Sequence, residues 1–371
     1  MSVFAQWGLR RVINASGKMT ALGSSAVAPE VASALAAAAS EYVIMDELLR
    51  VAGERIARAT GAEFAVPTMG AAAGIVLSVA ACVAGKDPVA IESLPDSRGR
   101  PNEVVLPKGH SVHFGGAITQ MIRLGGGMAV EAGHANLVLA EHVEHSITPR
   151  TVALFYCKSH HAVQKGMVSL PEMIEIGKRH GLPVIVDAAA EEDLKKYVAM
   201  GADLVCYSGG KAIGGPTSGF ICGRRDLVEA CVLQYRGVGR AMKVSKEAIS
   251  GLLAALELYE KRDHKAEARR DRERMERLVE RLNTLPGLRA RVIQDEAGRE
   301  IYRARIEVLP ESGLDARQII AHLETGDPAI FTRNHYANVG ILDIDPRTLL
   351  PGQEDLIVER LREVLKGRER A

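Results

Sequence analysis

Short apolar runs recur along the N-terminal part of the chain, and each stops on a polar or glycine-rich turn. Val12–Gly17, Phe64–Met69, Glu103–Leu106, Val152–Tyr156, Leu182–Val186, Leu204–Tyr207 and Gly219–Cys222 read as such runs. Their length and punctuation are those of buried strands. Helical stretches lie between them. Glu30–Ser40 is rich in alanine, and Tyr42–Thr60 sets Leu48, Leu49, Val51 and Ile56 among charges, as an amphipathic helix does. Ile75–Ala84, Leu170–His180 and Asp226–Gln234 are also helical in pattern, and Ile249–Leu285 reads as one long helix or a pair. Strands alternating with helices predict an α/β fold, a mostly parallel sheet with helices on both faces.

The pattern changes after the long helical stretch. Its Lys261–Arg281 part alternates in charge and reads as a solvated face. Ala290–Gln294, Tyr302–Val308, Ala329–Arg333 and Val339–Asp343 then read as strands, with helices at Ala316–Leu323 and Glu354–Leu365. That is a smaller α+β domain. The expected organisation is an N-terminal segment (1–45) packing with the small domain, a large domain (46–255), and a linker helix with the small C-terminal domain (256–371).

Composition narrows the classes. A chain of 371 residues can hold two domains and a large core. A net charge of +1 gives no electrostatic case for a general nucleic-acid or membrane binder. The five cysteines are odd in number, form no Cys-x-x-Cys, and mostly sit in apolar stretches. They read as small core residues of a reducing compartment, which suggests the cytoplasm. No signal peptide and no bilayer-length apolar run is visible.

Candidate chemistry sits at the ends of the strands, where a doubly wound sheet opens its ligand crevice. Leu204–Tyr207 ends on Ser208-Gly209-Gly210, and Lys211 follows at once, with Gly214, Gly215 and Pro216 ruling out an ordinary helix after it. A lysine held by glycines at the mouth of a buried strand suits a Schiff base, because desolvation favours the free amine. One strand–helix–strand step earlier, Leu182–Val186 ends on Asp187. Pyridoxal phosphate (PLP) enzymes use such a pair, a lysine on the aldehyde carbon and an acid on the ring nitrogen. Gly70, Ala71 and Ala72 open the apolar helix after Phe64–Met69, where bare N–H groups and the helix dipole favour a phosphate. His110 or His113 can lie on a cofactor ring. His160 and His161 lack a carboxylate or cysteine at metal-ligand spacing and suggest a substrate-facing loop. Arg236, Arg240, Lys243 and Lys246 form a basic stretch fit for a phosphate. Arg333, at a strand end, offers a fork for a carboxylate.

Several segments carry a resemblance: Val12–Gly23, Lys108–Gly116, His180–Asp187, Asp203–Gly219, Arg240–Lys246, and Pro328–Arg333 with Asp343–Pro351. With them the chain resembles the selenocysteine synthase (L-seryl-tRNA selenium transferase) superfamily of fold-type I PLP enzymes. Within it, the chain is most similar to the D-glucosaminate-6-phosphate ammonia lyases, from about Val12 to about Leu365. The resemblance implies the fold-type I transferase fold with a seven-stranded-type sheet, PLP as cofactor, Lys211 as the Schiff-base lysine and Asp187 as the ring-nitrogen partner. It further implies Gly70, Ala71, Ala72 and Ser208 at the phosphate, and His113 and Ala189 at the cofactor. Arg333, Lys18, Arg240 and His160 fall to the substrate, and no metal is expected. The implied reaction is α,β-elimination on a β-hydroxy amino acid such as D-glucosaminate 6-phosphate, in a homo-oligomer that is at least a dimer. The selenium-transferring members carry an extra N-terminal domain, whereas the shared segment here starts at Val12, and no strongly basic face for transfer RNA is visible. The same lysine–acid pair would also serve a racemase or epimerase, a selenocysteine synthase-like transferase, or a non-catalytic regulator built on a PLP fold.

Overall fold

The computed structural model describes residues 3–159, 161–296 and 298–366. In chain order its strands are β1 (Val12–Asn14), β2 (Phe64–Thr68), β3 (Glu103–Pro107), β4 (Met128–Ala132), β5 (Thr151–Cys157), β6 (Val184–Asp187), β7 (Leu204–Ser208), β8 (Gly219–Gly223), β9 (Leu288–Gln294), β10 (Tyr302–Val308), β11 (Ala329–Phe331) and β12 (Ile341–Ile344). The chain divides into two compact units, Val27–Lys261 and Met1–Ala26 with Arg262–Ala371.

In the larger unit the strands β2 to β8 form a seven-stranded sheet in the order β2-β8-β7-β6-β5-β3-β4. The pairs from β7 through β4 are parallel, and β8 is antiparallel to both its neighbours. Parallel strands need cover on both faces, and successive side chains alternate between the two. Val184 and Val186 of β6 join Leu154 and Tyr156 in a core with Met173 and Ile174 of the helix Leu170–His180. Ile185 joins Phe155 on the opposite side, in a core with Ile75, Leu77 and Val79 of the helix Ala71–Ala84.

The edge strand β4 goes beyond the sequence expectation. It is half-exposed and follows Gly125–Gly127, so it lacks the run of buried aliphatic residues that marks the central strands. The larger unit also begins earlier than residue 46. The helix Pro29–Ala39 packs on the helix Lys246–Glu260, and a Cβ on Gly251 would lie 2.9 Å from Leu35. Lys246 Nζ donates to the carbonyl of Ala38 in the same contact.

The smaller unit has an antiparallel sheet in the order β12-β10-β9 and a parallel pair, β1 with β11. The helix His264–Leu282 buries Met275, Leu278 and Leu282 in its core. Ile249–Leu285 is thus two helices. The first ends at Glu260, and the Asp263 carboxylate caps the second by accepting from the Ala266 N–H at 2.9 Å.

Candidate active site

The C-terminal ends of β5, β6 and β7 lie side by side, because parallel pairing sets Cys157 opposite Asp187 and Asp187 opposite Cys206. Asp187 is buried. Its Oδ1 accepts from the Ala189 N–H at 3.0 Å, and its Oδ2 accepts from the Cys157 thiol at 3.7 Å. Burial pushes the Asp187 pKa up, and the positive charge of Lys211 opposes that rise. The acid and the lysine predicted as a pair therefore feel one another in the folded chain.

The loop that carries Lys211 leaves β7 at Ser208 and folds back on Ser218. The Gly209 N–H donates to the Ser218 carbonyl at 2.8 Å, and the Gly215 N–H donates to the Gly209 carbonyl at 2.7 Å. A Cβ on Gly209 would fall 2.2 Å from Ser218 Oγ and 2.8 Å from Leu252 Cδ1, so a side chain there would have to displace both. Lys211 is half-buried. A Cβ on Gly219 would lie 2.8 Å from the Gly70 carbonyl carbon, so Gly70 rides against the same turn. Gly70 has φ +123° and caps the helix Ala71–Ala84 with no side-chain hydrogen bond. A helix start left uncapped, with alanines beside it, presents backbone donors and the positive dipole end.

The structure thus brings Gly70, Ala71, Ala72, Asp187, Ala189, Ser208 and Lys211 to the ends of adjacent elements. The Ser208 N–H donates to the Ala189 carbonyl at 3.4 Å, which ties the acid's loop to the lysine's. His113 is exposed, and its Nδ1 accepts from the Gly115 N–H. Arg240 is exposed on the short segment Val238–Met242. Lys18 and Arg333 belong to the smaller unit. The Arg333 backbone pairs with Asp343, and its guanidinium makes no hydrogen bond among the described residues. Burial and the neighbouring Arg303 push its pKa down to about 10, which still leaves it cationic at neutral pH. His160 lies outside the described residues. Among the described residues no cluster of three His, Cys, Asp or Glu residues suits a metal ion, and no helix is long and apolar enough to cross a membrane.

His110, read from the sequence as one of two candidates to lie on the cofactor ring, and Cys157, read only as a small core residue, meet beside Asp187. His110 is fully buried. Its Nε2 donates to the Val163 carbonyl at 3.2 Å, and its Nδ1 accepts the Cys157 N–H at 3.3 Å. That pairing needs a neutral ring, and burial pushes the pKa from 6.5 down to about 4. The unfolded chain therefore binds the extra proton between those values and the native chain does not. Stability is expected to fall as pH drops through the window, by roughly 3 kcal/mol in all. Urea midpoints at pH 7 and pH 4.5 check this: His110→Gln, which can make both bonds without titrating, should lose that part of the slope.

The family model for L-seryl-tRNA selenium transferase matches residues 12–275. The chain belongs to that family. Within the family it is 46% identical over 364 residues to a D-glucosaminate-6-phosphate ammonia lyase of Salmonella typhimurium, covering 98% of each chain. It is 47% identical over 361 residues to a 5'-C-glycyluridine monooxygenase-decarboxylase of Streptomyces, covering 96% of this chain and 90% of that protein. An L-seryl-tRNA(Sec) selenium transferase of Moorella thermoacetica is more distant, at 28%. The solved structure of a D-glucosaminate-6-phosphate ammonia-lyase superposes with a TM-score of 0.91 over 99% of both chains. A cysteine desulfurase of Escherichia coli at 18% identity shares the fold, with a TM-score of 0.60. An aspartate aminotransferase of Thermus thermophilus shares it at 0.55. The family's fold here is the fold-type I fold of PLP enzymes.

Proposed function

We propose that the protein is a PLP-dependent ammonia lyase that carries out α,β-elimination on D-glucosaminate 6-phosphate. The observation that carries this is the buried Asp187 carboxylate, whose pKa the charge of Lys211 lowers, in a chain alike over its whole length to such a lyase. The residues fit the cofactor. Asp187 is a desolvated acid that gains from a protonated ring nitrogen. Gly70 supplies a helix start free of a side-chain cap, which suits the phosphate. Lys211 would hold the aldehyde carbon as a Schiff base, and Ser208 would join Gly70, Ala71 and Ala72 at the phosphate. His113 and Ala189 would line the ring.

When bound, PLP supplies an electron sink for a carbanion at Cα. The residues do the rest. Lys211 Nζ takes the Cα proton as general base. The 3-hydroxyl leaves as water, and hydrolysis of the resulting enamine, through its imine, yields 2-keto-3-deoxy-6-phosphogluconate and ammonia. One water is lost and one is taken up, so no oxidant or reductant is needed. Arg333 is assigned to the substrate carboxylate. Lys18 and Arg240 are assigned to the distal phosphate, and His160 to the substrate loop. We place the enzyme in the cytoplasm as a homo-oligomer, at least a dimer.

Incubation with D-glucosaminate 6-phosphate is expected to release ammonia and a 2-keto acid in equal amounts without oxygen uptake. Oxygen uptake with loss of carbon dioxide from a glycyl nucleoside would instead place the enzyme beside its Streptomyces relative. Recovery of Cα-deuterated substrate from heavy water with no keto acid would make it a racemase or epimerase.

A further inference from the structure

Asp187 is held from both sides. Its Oδ1 is fixed by the Ala189 N–H within the same turn, and its Oδ2 by Cys157 Sγ at 3.7 Å from the neighbouring strand. Cys157 is fixed in turn. It is 1% exposed and sits opposite Asp187 in the β5–β6 ladder, and its N–H is caught by His110 Nδ1 at 3.3 Å. The His110 ring is locked by its bond to Val163 and by an edge-on contact with Tyr156, centroids 4.4 Å apart. Burial and then the Asp187 charge push the Cys157 thiol well above its ordinary pKa, so it stays protonated and can only donate. A free thiol with this surrounding is not poised for oxidation or nucleophilic attack. It is a hydrogen-bond donor on a rigid mount.

We propose that Cys157 is a positioning residue: its thiol proton, donated to Asp187 Oδ2, fixes the orientation of the carboxylate that meets the cofactor's ring nitrogen. The proposal rests on the functional role given to Asp187 above. Without the thiol, Oδ2 loses its hydrogen bond from the protein, and the carboxylate is held through Oδ1 alone.

The test starts on cofactor-free protein. Infrared difference spectra of wild type against Cys157→Ala isolate the S–H stretch of Cys157. The band is expected below that of a free thiol, and Asp187→Ala should move it up. An unmoved band would overturn the contact. Cofactor uptake and kinetics follow. Cys157→Ala is expected to weaken PLP binding several-fold and to lower kcat about ten-fold with KM changed less than two-fold. Cys157→Ser, a stronger donor on a shorter arm, should recover part of both losses. Binding and kcat of the alanine variant within two-fold of wild type would overturn the proposal, and so would a folded serine variant as impaired as the alanine one. Failure of the wild-type protein to take up PLP would sink the functional reading itself. It would show in the wild type alone, whatever the Cys157 variants do.

Discussion

Lys211→Ala is expected to lower ammonia release from D-glucosaminate 6-phosphate by roughly a thousand-fold or more. General-base catalysis alone contributes about 10²–10⁴-fold, and the variant also loses the amine that would hold the cofactor. The fold should not suffer. Lys211 is half-buried in a loop whose shape comes from the backbone bonds between Gly209, Gly215 and Ser218. Far-UV circular dichroism and the thermal midpoint are therefore expected to match wild type. The lysine also holds down the pKa of Asp187 by its charge, so the alanine variant confounds two effects. Lys211→Arg separates them. It keeps a cation near Asp187 but not an amine that can lose its proton near neutral pH. It should be as inactive as the alanine variant. Activity within ten-fold of wild type in either variant would remove Lys211 from the mechanism.

The lysine and the acid were legible because each rests on local pattern. A buried run that ends on Asp187, and another that ends on Ser208 with glycines before Lys211, can be read with no knowledge of what lies opposite. The uncapped glycine start of the helix Ala71–Ala84 is local in the same way. What escaped depends on register and on distant segments. Cys157 meets Asp187 only because β5 and β6 pair with those two residues opposite one another. Nothing within Cys157-Lys158-Ser159 signals that partner. His110 and His113 stand three residues apart in one loop, and contacts with the distant Tyr156, Cys157 and Val163 accompany the burial of the first while the second stays exposed. The early start of the larger unit turns on Leu35 meeting Gly251, a contact between remote parts of the chain. The edge strand β4 failed for a different reason. It has one face in solvent, so it carries no apolar run to read.

The buried charges of the smaller unit were the least visible of all, and they support the other large effect. Asp345→Ala is expected to destabilise the protein by about 3–5 kcal/mol, the cost of stranding a buried partner of an ion pair. The Asp345 side chain is fully buried. Oδ2 accepts from Arg303 Nε and from Arg347 Nη2, each at 2.8 Å, and Oδ1 accepts from Arg347 Nε at 2.9 Å. Arg303 is itself 3% exposed, with its Nη1 on Asp295 at 2.7 Å and its Nη2 without a hydrogen bond among the described residues. Removing Asp345 leaves that guanidinium with one carboxylate in place of two. The N-terminal turn leans on the same group. The Asp345 N–H donates to the Ala15 carbonyl at 2.8 Å, and a Cβ on Gly17 would stand 2.9 Å from Asp345 Oδ2. Urea unfolding at pH 7 reads the loss. The double variant Arg303→Met/Asp345→Leu should recover at least half of it, because well-packed apolar groups can replace a buried pair at little cost. The pH dependence tests whether charge is the cause. Burial alone would raise the Asp345 pKa, but Arg347 and Arg303 reverse that and hold it far below the ordinary 3.8. The stabilisation is therefore complete above about pH 4 and is lost as pH falls below it, where the unfolded chain takes up a proton that the native chain refuses. The gap between wild type and Asp345→Ala should narrow between pH 5 and pH 2. A gap that stays constant over that range would assign the energy to packing and not to the ion pairs.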